Sequence, residues 1–293
     1  MKKRTKLLCL LLVFIVPLSA CGSKSDQKHD SQSEGHAYKR IISLMPSNTE
    51  ILYELGLSDD VIGVSTVDDY PKEVKDKKQF DAMKLNKESL MKAKPDLILA
   101  HESQKATNDK VLKGLKDNGV KVVYVKDAQS IDEMYESFMQ IGKVTHNEKA
   151  SKKLVKETKQ NIERVKNSVP DDAKGQRVFM EISSEPEIYT AGKQTFFDDM
   201  LTQLKAENSF SNLNGWQKVS KEDIIKQNPD LMISTMGVSS SEYQKMIRKR
   251  GGFSQIKAVQ HNKVKAVNGD EISRPGPRID DGLKKLKEAI YEQ

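Results

Sequence analysis

Apolar positions along the chain keep two alternating rhythms. Short β-branched or aliphatic runs occur at 40–45, 61–65, 97–100 and 120–125, and these read as buried strands. Between them apolar residues recur every three or four positions: Ile51, Leu52 and Leu55 before Gly56; Val111, Leu112 and Leu115 before Gly119; Met134, Tyr135, Phe138 and Ile141. That spacing puts each set on one helical face. Ser47–Glu50, after Pro46, and Ser130–Glu133 have the spacing of capping boxes. From 146 onward Ala150, Leu154, Thr158, Ile162, Val165 and Val169 mark one long amphipathic helix over 146–170, closed by Pro170. The alternation then restarts, with strands at 177–182 and 264–267, helices at 196–204 and 242–250, and a final helix from Ile279. Strand–helix alternation predicts parallel sheets covered on both faces.

A short unit occurs twice. KESLMKAKPDLILA at 87–100 and KEDIIKQNPDLMIS at 221–234 share six of fourteen positions. The expected fold is therefore α/β, with two Rossmann-like lobes, 39–145 and 171–293, joined by the single long helix 146–170, and a ligand cleft between them. A helical hinge bends less than a loop, so modest lobe motion is expected.

The first twenty residues have signal-peptide form: a basic start followed by a run of about a dozen apolar residues, too short to span a bilayer comfortably. Leu18-Ser19-Ala20-Cys21 is similar to the lipobox of bacterial lipoproteins, which implies cleavage before Cys21 and lipidation of its sulfur. Residues 21–38 are polar and Ser/Gly/Gln-rich, as a flexible lipidated tether requires. Losing Lys2, Lys3, Arg4 and Lys6 with the signal lowers the formal charge from +7 to +3, no argument for a nucleic-acid partner. The two cysteines, Cys9 and Cys21, both precede the folded part, which leaves it no disulfide, thiol catalyst or cysteine metal site.

No phosphate loop, dinucleotide fingerprint, nucleophile elbow or paired-histidine zinc motif is present, and the five histidines lack ligand spacing. Nothing supplies a nucleophile with its base, so no catalytic residue is assigned.

In each copy of the repeat a capping residue, Asn86 or Ser220, precedes a glutamate, Glu88 or Glu222. The helix dipole alone accounts for an acid in a first turn. Two acids at matching positions also form a symmetric pair that arginines of a two-fold partner could grip.

RIISLMPSNTEILYELGLSDDVIGVSTVDDYP, the 87–100 unit, GWQKVSKE and ISRPGPRI occur in this order, from about residue 39 to the end. Together they resemble the vitamin B12- and ferric-siderophore-binding receptors of ABC importers, class III periplasmic binding proteins. The resemblance implies one binding domain over 39–293. It implies a dimeric ABC permease with its ATPase subunits as partner, docked through Glu88 and Glu222. It also implies a metal chelate as cargo, corrinoid or ferric siderophore, with the metal carried inside the ligand and no metal held directly by the protein. A lipid on Cys21 would hold the receptor at the extracytoplasmic face of the membrane.

Tyr189 and Trp216 match positions where B12 receptors set rings against the corrinoid. Core packing is the other reading of Trp216; its place in a loop after Gly215 favours the cleft. Arg274 and Arg278 flank Pro275-Gly276-Pro277, where guanidinia could grip an anion or form a structural ion pair; Arg274 is the candidate ligand contact. Val67 and Ala82 stand where the enteric B12 receptor has aromatic rings, with Phe80 as a substitute for one. Met83 falls near an axial methionine of haem receptors, and His261 is the only histidine of the C-terminal lobe that could complete such a site. His101 ends a strand, where it either touches ligand or hydrogen-bonds locally. The rival readings are a haem receptor of the same family, a surface hydrolase or chelatase, and a receptor that signals without transport.

Overall fold

In β1 (Ile41–Ser43) successive side chains point to opposite faces of the sheet, and this split organises the N-terminal lobe. Ile41 joins one apolar cluster and Ile42 another. The computed structural model describes residues 38–171, 173 and 175–292. The signal peptide, Cys21 and all of the tether but Tyr38 lie outside the described residues.

After β1 come α1 (Pro46–Glu54), β2 (Val61–Ser65), β3 (Lys78–Phe80), α2 (Lys87–Lys92), β4 (Leu97–His101), α3 (Lys105–Lys116), β5 (Lys121–Val125) and α4 (Ile131–Val144). The five strands pair in the order β3-β2-β1-β4-β5, all parallel. Then α5 runs from Glu148 to Asn167.

The second lobe holds β6 (Arg177–Ser183), β7 (Tyr189–Ala191), α6 (Phe196–Gln203), β8 (Glu207–Asn208), β9 (Trp216–Lys218) and α7 (Lys221–Gln227). It continues with β10 (Leu231–Ser234), α8 (Ser240–Lys249), α9 (Lys257–Gln260), β11 (Val264–Ala266), α10 (Gly269–Ser273) and α11 (Ile279–Tyr291). Its sheet order is β11-β10-β6-β7-β9, with β8 also beside β6.

This second sheet corrects the expectation of parallel strands throughout. β7 is antiparallel to both β6 and β9. The cause is chain length: only 184–188 separate β6 from β7, whereas a parallel return needs a crossover of about a dozen residues or more.

Strand alternation also fixes how the lobes are joined. Leu97 and Leu99 face one way and Ile98 the other; Leu231 and Ile233 face one way and Met232 the other. The first set of each lobe enters a single apolar cluster that passes through Phe138 and Ile141 of α4, Leu154 and Ile162 of α5, and Leu283 and Leu286 of α11. Burying each such side chain stabilises the fold by about 1.5–3 kcal/mol relative to exposure. The lobes are thus tied by a shared core as well as by α5, which restricts their relative motion.

Two capping expectations change. The helix after β1 begins at Pro46 itself, with no side-chain cap from Met45, and Ser47 and Glu50 form no box. Proline suits the first helical turn because its missing N–H is not needed there. At α4, Ser130 accepts from the Glu133 backbone, but the Glu133 carboxylate accepts from Gln129 N–H, one residue earlier than a box requires.

Candidate functional site

The repeated unit proves to be a helix, a turn and a central strand: α2–β4 in one lobe, α7–β10 in the other. Each turn passes through a left-handed residue at the same position, Lys94 (φ 49°) and Asn228 (φ 46°). Pro95 and Pro229 follow, then Asp96 and Asp230. Asp96 accepts the N–H groups of Lys39 and Arg40 at 2.8 and 3.0 Å; Asp230 accepts that of Arg177 at 3.1 Å. Arg40 donates to the carbonyls of Ala93 and Lys94, and Arg177 to that of Gln227. One clasp therefore sets helix against strand in both lobes.

Each helix runs back against its strands, so its first turn lies at their carboxyl ends. That places Glu88 and Glu222 on the side where open α/β sheets bind ligands. Both are exposed, and neither meets a hydrogen-bond or ion-pair partner among the described residues. Their helices are capped by other groups: Asn86 accepts from Ser89 N–H, and Ser220 forms a reciprocal box with Asp223.

The lobes touch on the carboxyl-end side of their sheets. Segments following β2 and β11 meet there, because Arg274 bonds Asp69 and lies 3.4 Å from the Val67 carbonyl. Among the described residues five large apolar or aromatic side chains are exposed: Val67, Tyr70, Met83, Tyr189 and Trp216. The first three follow β2 and β3; Tyr189 pairs with Ser183 at the end of β6. Single exposed apolar residues carry little meaning; Trp216 counts because a cavity lies beside it.

The C-terminal wall contains a cavity of about 430 Å3 lined by Ile182, Phe197, Trp216 and Met236, with Thr235, Asn268 and Asp270 as polar groups. Trp216 is 47% exposed and stands edge-on to Phe197, with ring centroids 5.5 Å apart. Gly215, at φ +69°, makes the turn that delivers it. Gly269 lets α10 approach the end of β10: a Cβ there would lie 2.2 Å from the Thr235 carbonyl oxygen.

Between α1, α10 and α11 lies a second, charged cavity of about 290 Å3, which shares Asp270 with the first. Glu50 is only 3% exposed and accepts two hydrogen bonds from Arg278, at 2.9 and 2.6 Å. Arg278 also lies over the Tyr70 ring, 3.7 Å from its centroid. The Glu50 carboxylate holds the Arg278 pKa above its ordinary value despite the opposing effect of burial. Arg274 meets Asp69, Asp270 and Glu50. Both arginines are therefore ties between lobes, and the charge of Arg274 is already engaged.

Other candidates separate. Phe80 is not available as a surface aromatic: it is 5% exposed and fills the socket left by Gly63, where a Cβ would sit 2.5 Å from its ring. Ala82 is buried too, its carbonyl held by Asn108. Met83 is 79% exposed at the end of β3. His261 borders a different cavity, at the amino ends of the C-terminal strands with Gln176 and Lys263, so the fold does not bring Met83 and His261 together. The His101 ring bonds Ser103 Oγ at 2.8 Å and approaches Asp127 at 3.6 Å; burial, outweighing Asp127 and Glu102, lowers its pKa.

The sequence reading missed Glu181. This wholly buried carboxylate of β6 is bound by Arg250, itself buried, and by the Tyr243 hydroxyl at 2.7 Å. Burial and the adjacent carboxylate raise the Tyr243 pKa well above its usual value. A glutamate inside the apolar strand Val-Phe-Met-Glu-Ile was the signal available. Among the described residues no group of three or more His, Cys, Asp or Glu side chains is placed to hold a metal ion.

Residues 41–270 match a family model described as a periplasmic binding protein. An uncharacterized ABC transporter substrate-binding lipoprotein of Bacillus subtilis is 41% identical, over 99% of this chain and 98% of its own length. A vitamin B12-binding protein of Pectobacterium carotovorum is 29% identical, over 82% of this chain and 84% of its own. Among solved structures, a possible iron-binding (periplasmic solute-binding) protein from Staphylococcus epidermidis gives a TM-score of 0.82 at 66% identity, over 87% of this chain and 99% of that one.

Proposed function

Because this chain belongs to the periplasmic binding protein family and is a substrate-binding protein of an ABC transporter, we propose that it captures a metal chelate, a corrinoid or ferric siderophore, and delivers it to a dimeric permease. The observation that carries this reading is the aromatic-lined cavity at Trp216; in this reading exposed Val67, Tyr70 and Met83 form the opposite side of an interlobe groove, with Tyr189 beside the cavity. A flat aromatic wall gives a bulky, rigid ligand large apolar contact at low entropic cost. The C-terminal cavity lies within the usual range for small-molecule sites, and the N-terminal rim extends it. The metal is cargo inside its chelate, so the protein supplies shape and contact and performs no chemistry.

Glu88 and Glu222 are the docking groups in this reading, one acid per lobe on the groove side, open to arginines of the permease pair. The lipid on Cys21 keeps the receptor at the outer membrane surface near that permease. Trp216 is the only tryptophan, so intrinsic fluorescence reports on the groove directly. Titrating the purified protein with cyanocobalamin and a ferric hydroxamate should quench it. The double variant Glu88→Ala/Glu222→Ala should keep the same dissociation constant while cellular uptake of the chelate is lost. Normal uptake by that variant would refute the docking assignment.

A further inference from the structure

We propose that the cargo is an electrically neutral or cationic chelate, and that the charge lining of the groove rejects polyanionic ones; this rests on the receptor reading above. The Trp216 cavity has one charged lining residue, and it is an acid, Asp270. The adjoining cavity adds Glu50, Glu271 and Asp281 against Arg274, Arg278 and Lys285. Asp69 closes onto Arg274 from the opposite lobe. Acids therefore outnumber bases five to three.

Every one of the three bases is already paired. Arg274 contacts Asp69, Asp270 at 3.2 Å and Glu50 at 4.0 Å; Arg278 is bonded by Glu50; Lys285 by Glu271. Asp81 and Lys84, beside Met83 in the N-terminal lobe, are both exposed and of opposite charge. A polyanion entering this groove finds no free guanidinium. It must break the ties of Arg274 or lie beside Asp69 and Asp270 where water is being expelled, and like charges brought together in that setting repel strongly.

Chelate chemistry turns this into a choice of class. Three hydroxamates, each singly negative, neutralise ferric iron; three catecholates, each doubly negative, leave a triply negative complex. Cyanocobalamin carries no net charge, its phosphate balanced by the corrin cobalt. The groove therefore suits a corrinoid or a ferric hydroxamate and opposes a ferric catecholate.

Equilibrium dialysis of the detergent-solubilised full chain against cyanocobalamin, a ferric tris-hydroxamate and a ferric tris-catecholate tests this. At least one of the first two should bind about 100-fold more tightly than the third, as several unfavourable like-charge contacts require. Combining Asp69→Asn with Asp270→Asn removes two of the three carboxylates around Arg274 and should raise catecholate affinity about tenfold relative to that of the preferred probe; an unchanged ratio overturns the charge assignment. A catecholate that binds the unmodified protein as tightly as the others overturns the charge assignment and leaves the receptor reading standing. Silence from all three probes overturns the corrinoid-or-siderophore cargo and this proposal with it.

Discussion

Asp96 receives two backbone N–H groups at the start of the first sheet, and Asp230 receives one at the start of the second. Further along the same strands the lobes part. Four residues beyond the clasp arginines, Arg40 and Arg177, the N-terminal lobe has buried Leu44 and the C-terminal lobe has buried Glu181. The amino end of each strand is thus built by one repeated device, and the carboxyl end is free to differ. Only the C-terminal lobe adds the antiparallel ribbon β7–β9, which carries the exposed Tyr189 and Trp216.

The largest effect should come from testing that divergence inside the C-terminal lobe. Arg250→Ala strands the Glu181 carboxylate in an apolar setting, which should cost about 3–5 kcal/mol of stability. Thermal or urea unfolding measures it. The triple replacement Glu181→Leu, Arg250→Met and Tyr243→Phe imitates the apolar solution of the other lobe. It should unfold at a higher temperature than Arg250→Ala, since well-packed apolar groups often replace a buried ion pair without loss. A cost below about 1 kcal/mol for Arg250→Ala would show that water reaches Glu181 after all.

A smaller effect separates the two walls of the groove. Trp216 is backed by Phe197 and set in a cavity, whereas Met83 projects from a rim with most of its surface in water. Truncating Trp216 to alanine should weaken chelate binding by about 2 kcal/mol or more, and Met83→Ala by less than about 1 kcal/mol. Calorimetric titration reads both without relying on the tryptophan signal. Equal losses would mean that the two lobes contribute alike.

Much of this organisation was legible before any coordinates. Apolar doublets such as Ile41-Ile42 gave the central strands, and three–four spacing gave α5, because both patterns follow from burial on defined faces. The repeat showed that two such lobes exist. What stayed hidden depends on distant partners. Glu50 carries a capping-box spacing, yet its carboxylate goes to Arg278, 228 residues away, in a charge-assisted double bond that outweighs a local cap. Phe80 looked like a groove aromatic because the empty place beside Gly63 cannot be read from sequence. The three-residue strands Tyr189–Ala191 and Trp216–Lys218 are too short for alternation to register; the first is defined by pairing with β6 and the second by pairing with the first.

The smallest effect returns to the shared turn, where one backbone shape is met by two residues. Lys94 adopts φ 49° with an exposed side chain, and its Cβ bears a left-handed penalty of about 1–2 kcal/mol. Glycine removes that penalty but restores about 0.5–1 kcal/mol of unfolded-chain entropy, so Lys94→Gly should stabilise by up to about 1 kcal/mol. Asn228 adopts φ 46°, but its Oδ1 accepts the Lys257 N–H at 2.9 Å, which fixes the start of α9. Asparagine also tolerates this conformation better than lysine does. Asn228→Gly therefore loses a bond of about 0.5–1.5 kcal/mol for little conformational relief, and should destabilise. Opposite signs in urea unfolding would show that the two halves share the turn and differ in what each asks of it; matching signs would mean that the Asn228 bond contributes nothing.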